Sequence, residues 1–409
     1  MYNIDTLTLG MSCSRSYKKK NIFTGEYEDT IDWEYTARMQ QKITNKMVVY
    51  EEDIQNMSSV IVNKKGKYIK APVYWHQYYN GYRFTYFENW HSLTVMIPHY
   101  KIQKLVAKDI VELVRETIMV LFKITEDEMN HIYLNRIDIK CDYRYADEEE
   151  FKIIKNIIDK VTDNYYCYKK EIKQNDEKGY LITFIKNNDN KYKHSKGPIV
   201  ASKRIIKNKL SNEEFTEEDD SGGYMQVTEY NKTLEIEQQI AEGKLPESYR
   251  DKYINVFRTE VRIKNKRLNY YKNTSGILKT LENYYDGETT SQLYEFPTKR
   301  IFGVNDFYRI DEALNIINGS SMRQTTKDKL CKLILLVNEK GCTIAKKEWN
   351  NMFSEKTYAN HKKKIESLGL NIITYDEVID NKVVSVETIK NFTLLKNRIA
   401  DCLDGETTD

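Results

Sequence analysis

No two cysteines of this 409-residue chain stand at CxxC spacing, and none joins histidines at the spacing of a zinc site. The six, at 13, 141, 167, 331, 342 and 402, are scattered. That excludes a disulfide framework and predicts reduced thiols. Long apolar runs are missing too. No stretch approaches the roughly 18 apolar residues that span a bilayer, so no membrane association is expected. The opening MYNIDTLTLG has neither a basic flank before an apolar run nor a small-residue cleavage site, and a cytoplasmic location is expected. A charge of one sign is absent as well, because 64 Lys and Arg offset 61 Asp and Glu. The balance hides local segregation, so the average says little about partners.

What the chain has in abundance is tyrosine, 32 residues, beside many Lys, Asn and Ile. Codon drift in an AT-rich genome produces that bias. Aromatic rings next to cations also suit stacking on unpaired bases. Alternating apolar and polar residues predict strands at 4–9, 58–63, 69–75 and 82–97, the last with a turn near Glu88 and Asn89. Leu105, Ile110, Leu113, Val114, Ile118 and Leu121 recur at helical spacing. A strand over 132–140, a helix over 148–161, and strands over 180–185, 224–230 and 254–263 follow, with a helical stretch at 232–242. Hairpin-paired strands with intervening helices make an α+β fold with a largely antiparallel sheet and flanking helices. Both halves of 58–264 show strands followed by a helix, which is the pattern of an internal duplication.

From about residue 323 the character changes. Helices are predicted at 323–338, 345–352 and 355–367, followed by two strand-like runs. Three helices and a β-hairpin are the layout of a winged helix. The segment from Ser354 offers a helix cap and a basic face at Lys362, Lys363 and Lys364. It suits a recognition helix in the major groove. A solvated lysine face on a small structural domain is the plain alternative.

Three segments can carry chemistry. In Arg136-Ile137-Asp138-Ile139-Lys140-Cys141-Asp142 the period of two puts the four charges on one face of a strand. In Arg258-Thr259-Glu260-Val261-Arg262 it does the same for Arg258, Glu260 and Arg262. If the two strands are neighbours, Asp138 and Glu260 can share one Mg²⁺ or Mn²⁺, hard ions that prefer carboxylate oxygens and keep positions open for phosphate. The alternative is a cross-strand ladder of ordinary ion pairs. The third segment, Glu229-Tyr230-Asn231-Lys232-Thr233-Leu234-Glu235, closes a strand and enters a helix. A phenol titrates near 10, so it becomes a nucleophile only when a cation or base stabilises its phenolate. Lys232 is two residues away. With so many tyrosines in the chain, Tyr230 is equally readable as a strand-end aromatic.

In that order, IYLNRIDIKCD, TEYNKTLE and FRTEVRI resemble the rolling-circle replication initiators of the Rep_trans type, the related phage replication proteins and the relaxases of integrative elements. The resemblance covers roughly residues 4–275. It implies a metal-dependent endonuclease that nicks and joins one DNA strand through a 5′-phosphotyrosine. Tyr230 would be the nucleophile and Asp138 and Glu260 the metal ligands. Asp142 and Glu235 would be further ligands or their supports, and Arg136, Lys232 and Arg258 would neutralise the phosphate. The chain departs from the pattern in two ways. Histidines 76, 91, 99, 131, 194 and 361 are isolated, which excludes a paired-histidine metal site, and asparagine stands at 231 where aspartate is frequent. Tyr224, six residues before Tyr230, is a second candidate nucleophile.

The stretch 186–209 carries eight Lys and Arg against the single acid Asp189, with Tyr192 and His194 between them, and an acidic block from Glu213 to Asp220 follows. Lys193, Lys196, Lys203, Arg204 and Lys207 can track a nucleic-acid backbone. A solvated loop folded on its own acidic end fits equally. The expected organisation is a catalytic region, 1–300, with the insertion 186–222; a winged-helix-like region, 301–390; and a tail, 391–409, with an acidic end. Double- and single-stranded DNA at an origin, a host helicase and a homodimer are the partners the resemblance implies. A conjugative relaxase and a non-catalytic DNA-binding regulator are the competing readings.

Overall fold

The computed structural model describes residues 3–21, 25–48, 74–102, 105–162, 225–241, 243 and 245–395, excepting the side chains of residues 3, 20, 74, 89, 162, 226 and 266. It also describes the backbone alone of 60–62, 68–70, 167–174, 177–185, 203–207 and 214–218. Nine strands make one sheet: β1 (Asn3–Ser12), β2 (Tyr74–Tyr79), β3 (Tyr82–Phe87), β4 (Ser92–Pro98), β5 (Ile132–Arg144), β6 (Cys167–Gln174), β7 (Glu177–Ile185), β8 (Met225–Asn231) and β9 (Val256–Lys264). Their order is β6-β7-β8-β9-β5-β1-β4-β3-β2, and every pairing is antiparallel. The long strand β5 is the centre, with a run of four strands on each side. The architecture is α+β, with helices flanking a large antiparallel sheet.

Alternation decides what each face of the sheet does. On β5 the apolar row Ile137, Ile139 and Cys141 is buried, and on β9 so are Phe257, Val261 and Ile263. The helices cover this apolar side. In α2 (Ala107–Phe122) the residues Ile110, Val114, Ile118 and Phe122 recur every four positions and are all buried. In α3 (Glu148–Thr162) Ile153, Ile154, Ile157, Ile158 and Val161 form the buried stripe.

Four helices of ten residues or more lie outside those predicted above: Trp33–Thr44, Asn265–Ser275, Gly287–Phe302 and Ile310–Gly319. In chain order the helices used below are α1 (Trp33–Thr44), α2, α3, α4 (Lys232–Ala241), α5 (Asn265–Ser275), α6 (Gly287–Phe302), α7 (Ile310–Gly319), α8 (Gln324–Met352) and α9 (Glu355–Ser367). The two helices expected at 323–338 and 345–352 are the two halves of α8, which meet at Gly341, whose φ of 74° is non-helical. Ser354 caps α9, accepting from the Thr357 N–H. The two strand-like runs that follow reduce to a small hairpin, Val378–Ile379 with Lys382–Val383.

These C-terminal elements pack onto the apolar side of the sheet. Phe392 meets the rings of Tyr143, Phe257, Phe302 and Phe307. The Lys160 ammonium on α3 donates to Asn338 Oδ1, to the Thr374 carbonyl and to Asp376. Part of the basic-acidic insertion forms strands. Lys203–Lys207 pairs with Glu214–Glu218 and with Val60–Val62, in a separate four-stranded sheet.

Candidate active site

Directly paired residues share a face, so the register of four central strands assembles one polar surface. Asp142 lies opposite Arg258, Lys140 opposite Glu260 and Asp138 opposite Arg262. Beyond β9, Tyr230 lies opposite Arg258. Beyond β5, Thr6 lies opposite Asp138 and Thr8 opposite Arg136. Tyr230, Arg136, Asp138, Asp142, Arg258 and Glu260, named above from the sequence alone, therefore occupy one face. Lys232 and Glu235 reach its edge from the first turn of α4.

Within this face Asp138 and Glu260 share a partner. Arg262 donates through Nε to Asp138 Oδ2 at 3.2 Å and through Nη2 to Glu260 Oε1 at 3.2 Å. Arg136 also holds Asp138, through Nε at 2.7 Å and through Nη2. The other oxygen of Glu260, Oε2, accepts the Tyr230 hydroxyl at 3.4 Å. Burial, with Asp138 and Asp5 nearby, pushes the Glu260 carboxyl up to about 7. Burial likewise raises the Tyr230 phenol well above its ordinary value, with Arg258 pulling the other way. Tyr230 is 7% exposed.

Beside these groups lies a second ion cluster, buried except at Asp5. Arg258, 2% exposed, donates to both oxygens of Asp142, at 2.5 and 2.8 Å, and to Asp5 Oδ1 at 2.9 Å. Lys140 reaches the same Asp5 oxygen at 3.5 Å. Burial opposes ionisation of Asp142 and Asp5, yet the Arg258 and Lys140 charges hold both below the usual carboxylate range. Lys140 is pushed down to about 8, by burial first and by Arg258 second. Lys232 pairs with Glu235 Oε2 at 2.5 Å and lies over the rings of Tyr230 and Tyr253, at 5.9 and 5.7 Å. Arg258 thus spends its donors on two carboxylates, and Asp142 spends both oxygens on Arg258.

Asn231 belongs to the other side of the chain. Its Oδ1 accepts the Leu234 N–H and caps α4, and its Nδ2 donates to the Tyr145 hydroxyl. No motif selects Asp5, although the sequence does hold a signal. It falls in the row Asp5, Leu7, Leu9, Met11, whose other members are core residues. A register shift between Ile4 and Thr6 swings it out of that row and onto the polar face.

The donor set fits a hard cation. Mg²⁺ and Mn²⁺ are commonly bound by one or two carboxylates, with water and substrate phosphate completing the shell. Asp138 and Glu260 supply two, joined now by a guanidinium that an ion of the same sign can replace. Among the described residues no group of three His, Cys, Asp or Glu side chains gathers closely enough to hold an ion by itself.

The remaining candidates lie elsewhere. Lys362, Lys363 and Lys364 are on α9, where Lys363 and Lys364 are exposed and Lys362 lies 3.7 Å from Glu366. Lys203, Arg204 and Lys207 are on the strand Lys203–Lys207, described as backbone only, and Lys193, Lys196 and Tyr224 fall outside the described residues. No described helix is long and apolar enough to cross a membrane. No family model matches the chain, and no curated protein does. A solved structure of a rolling circle replication initiator protein from Geobacillus stearothermophilus is similar to it at 12% identity and a TM-score of 0.23, with 66% of this chain and 77% of that chain covered.

Proposed function

We propose that this protein nicks and rejoins one strand of DNA as a rolling-circle replication initiator does, with Tyr230 as nucleophile. The observation that carries the reading is the Tyr230 hydroxyl bonded to Glu260, on the face where Asp138, Arg136 and Arg262 converge. In this scheme the Tyr230 oxygen attacks phosphorus as its proton passes to Glu260 Oε2. The P–O3′ bond breaks, and the departing 3′ oxygen takes a proton from solvent water to become a free hydroxyl. A 5′-phosphotyrosine ester keeps the energy of the broken bond. The strand is rejoined by the reverse attack, without ATP. Arg136 and Arg262, which now hold Asp138, turn in this scheme to the phosphate oxygens. A Mg²⁺ or Mn²⁺ held by Asp138 and Glu260 would polarise the phosphate. Arg258, Asp142, Asp5 and Lys140 fix the strands rather than touch DNA, and Lys232 and Glu235 flank the phenol. Because the phenol is enclosed, the long side chains beside it must swing aside as DNA enters.

In the same reading α8, α9 and the 378–383 hairpin are a winged-helix-like unit that binds the duplex origin through Lys362, Lys363 and Lys364. The basic insertion tracks the backbone, and a host helicase and a second copy of the chain assist. Conjugative transfer uses the same chemistry at a different origin. The test is incubation with Mn²⁺ and labelled single strands tiled across the DNA flanking the gene, followed by denaturing electrophoresis. A covalent adduct that disappears in Tyr230→Phe is expected. An adduct that persists there and disappears in Tyr224→Phe would move the nucleophile. DNA binding without any adduct would make the protein a regulator instead.

A further inference from the structure

The strand that carries Glu260 and Arg262 runs directly into α5, and the charge pattern changes there. Between residues 261 and 281 the chain has six cations, Arg262, Lys264, Lys266, Arg267, Lys272 and Lys279, and no acid. Other acid-free runs occur at 54–87 and 190–212, but this one continues the strand that carries the site. Arg262 is matched by Asp138 and Glu260. Among the described residues no carboxylate pairs with Lys272 or Lys279. Burial, and then the like charge of Lys272, lower the Lys279 ammonium from its usual value.

The cations are interleaved with rings. The Arg267 guanidinium lies 4.8 Å from the ring of Tyr270 and 4.4 Å from that of Tyr271, and its buried Nε has no hydrogen-bond partner. Tyr270 is 49% exposed, and Phe296 beside the same arginine is 50% exposed. The Lys279 ammonium lies 4.4 Å over the ring of Tyr133. Tyr133 lies against Gly10 across the sheet, where a Cβ would come within 2.7 Å of the ring. The glycine therefore lets that ring lie flat on the site face of the sheet. The surface is continuous with the site, because Lys264, the last residue of β9, pairs with Arg136.

We infer that α5 and the segment to Lys279 form a single-strand DNA track leading from the scissile phosphate, with Lys272, Lys279 and Arg267 facing phosphates and Tyr270 stacking on a base. Alternating cations and exposed rings are the chemistry that holds unpaired strands without regard to sequence. Charge identifies the occupant as a polyanion, since the strip is cationic and free of acids. The exposed rings narrow it to an unpaired strand, because a paired duplex cannot stack upon them. This deepens the nicking reading and rests on it.

The test uses the full chain and a fluorescein-labelled oligothymidylate of about 20 nucleotides, longer than a usual site of about 4–16, with anisotropy read over a salt series. In Lys272→Ala with Lys279→Ala the slope of log K against log salt should flatten by about 1.4, from about 0.7 for each phosphate no longer neutralised. Tyr270→Ala should bind about tenfold more weakly, with the slope unchanged. Lys272 and Tyr270 are exposed, so the pair Lys272→Ala and Tyr270→Ala supplies a variant whose fold is undisturbed, checked by its thermal melt. Wild-type affinity and slope in these variants would overturn the track. Covalent adduct formation is scored in parallel. Adduct formation with unaltered binding in the variants rejects the track and spares the nickase. Weakened binding with no adduct in any protein rejects the nickase and spares the track.

Discussion

Glu229 shows how a single side chain sets a dependence on pH. It points away from the site, to the apolar side of the sheet, where Thr259 donates to one oxygen at 2.8 Å and the other has no partner. Burial raises its carboxyl well above 4.5. An acid whose folded value is raised supports folding fully below the unfolded value. That support is lost as pH climbs toward the folded value, because the unfolded chain releases the proton and the folded one does not. Glu229→Gln copies the protonated form, so it should match wild type near pH 4 and melt increasingly higher than wild type as pH rises above that. Melting curves of both proteins that run parallel across that range would show that Glu229 ionises in the fold. The residue scale was also where the sequence was most and least readable. Arg136, Asp138, Lys140 and Asp142 declare their common face through period two alone. Asp5 does not, because its place depends on a register shift and on a guanidinium 253 positions away.

At the scale of elements, legibility followed burial. The helices α2 and α3 repeat a buried stripe and are visible in the sequence. In α5 Leu268 is the buried residue and lysines and tyrosines fill the exposed faces, so no period marks it. α6, with its internal Pro297, was hidden for a similar reason, whereas α1 buries Tyr35, Met39 and Ile43 at a spacing of four, a stripe that the sequence does carry. The junction of β8 and α4 makes a sharper case. Asparagine at 231 looks like a lost acidic ligand, whereas its side chain closes the first turn of the helix that carries Lys232 and Glu235. Asn231→Ala should cost about 1 kcal/mol of stability, the usual worth of such a cap, and Asn231→Asp should restore most of it. Urea titrations of the two variants decide this. An alanine variant as stable as wild type would mean that α4 is held by its packing alone.

For the molecule as a whole, the C-terminal helices are built onto the rear of the sheet rather than strung from it. Phe392 is enclosed by aromatic rings from β5, β9, α6 and the Phe307–Tyr308 strand. Phe392→Ala should lose about 3–5 kcal/mol, as large aromatic truncations in cores do. Sheet and helices should also unfold in a single transition, followed by circular dichroism and tryptophan fluorescence in the same titration. Two separated transitions would show that the halves are independent. No periodicity could reveal this docking, because Phe392 stands outside any regular helix or strand and its partners come from across the chain.

That one ring has a consequence for biogenesis. On the ribosome β1 emerges first and its neighbour β5 much later, and the part of the hydrophobic back of β5 and β9 that meets Phe392, at Cys141, Tyr143 and Phe257, lacks that cover until residue 392 has been made. A nascent chain arrested before that point leaves Cys141 and Phe257 open to chaperones and proteases, so synthesis that stops early yields a substrate for clearance rather than a finished sheet.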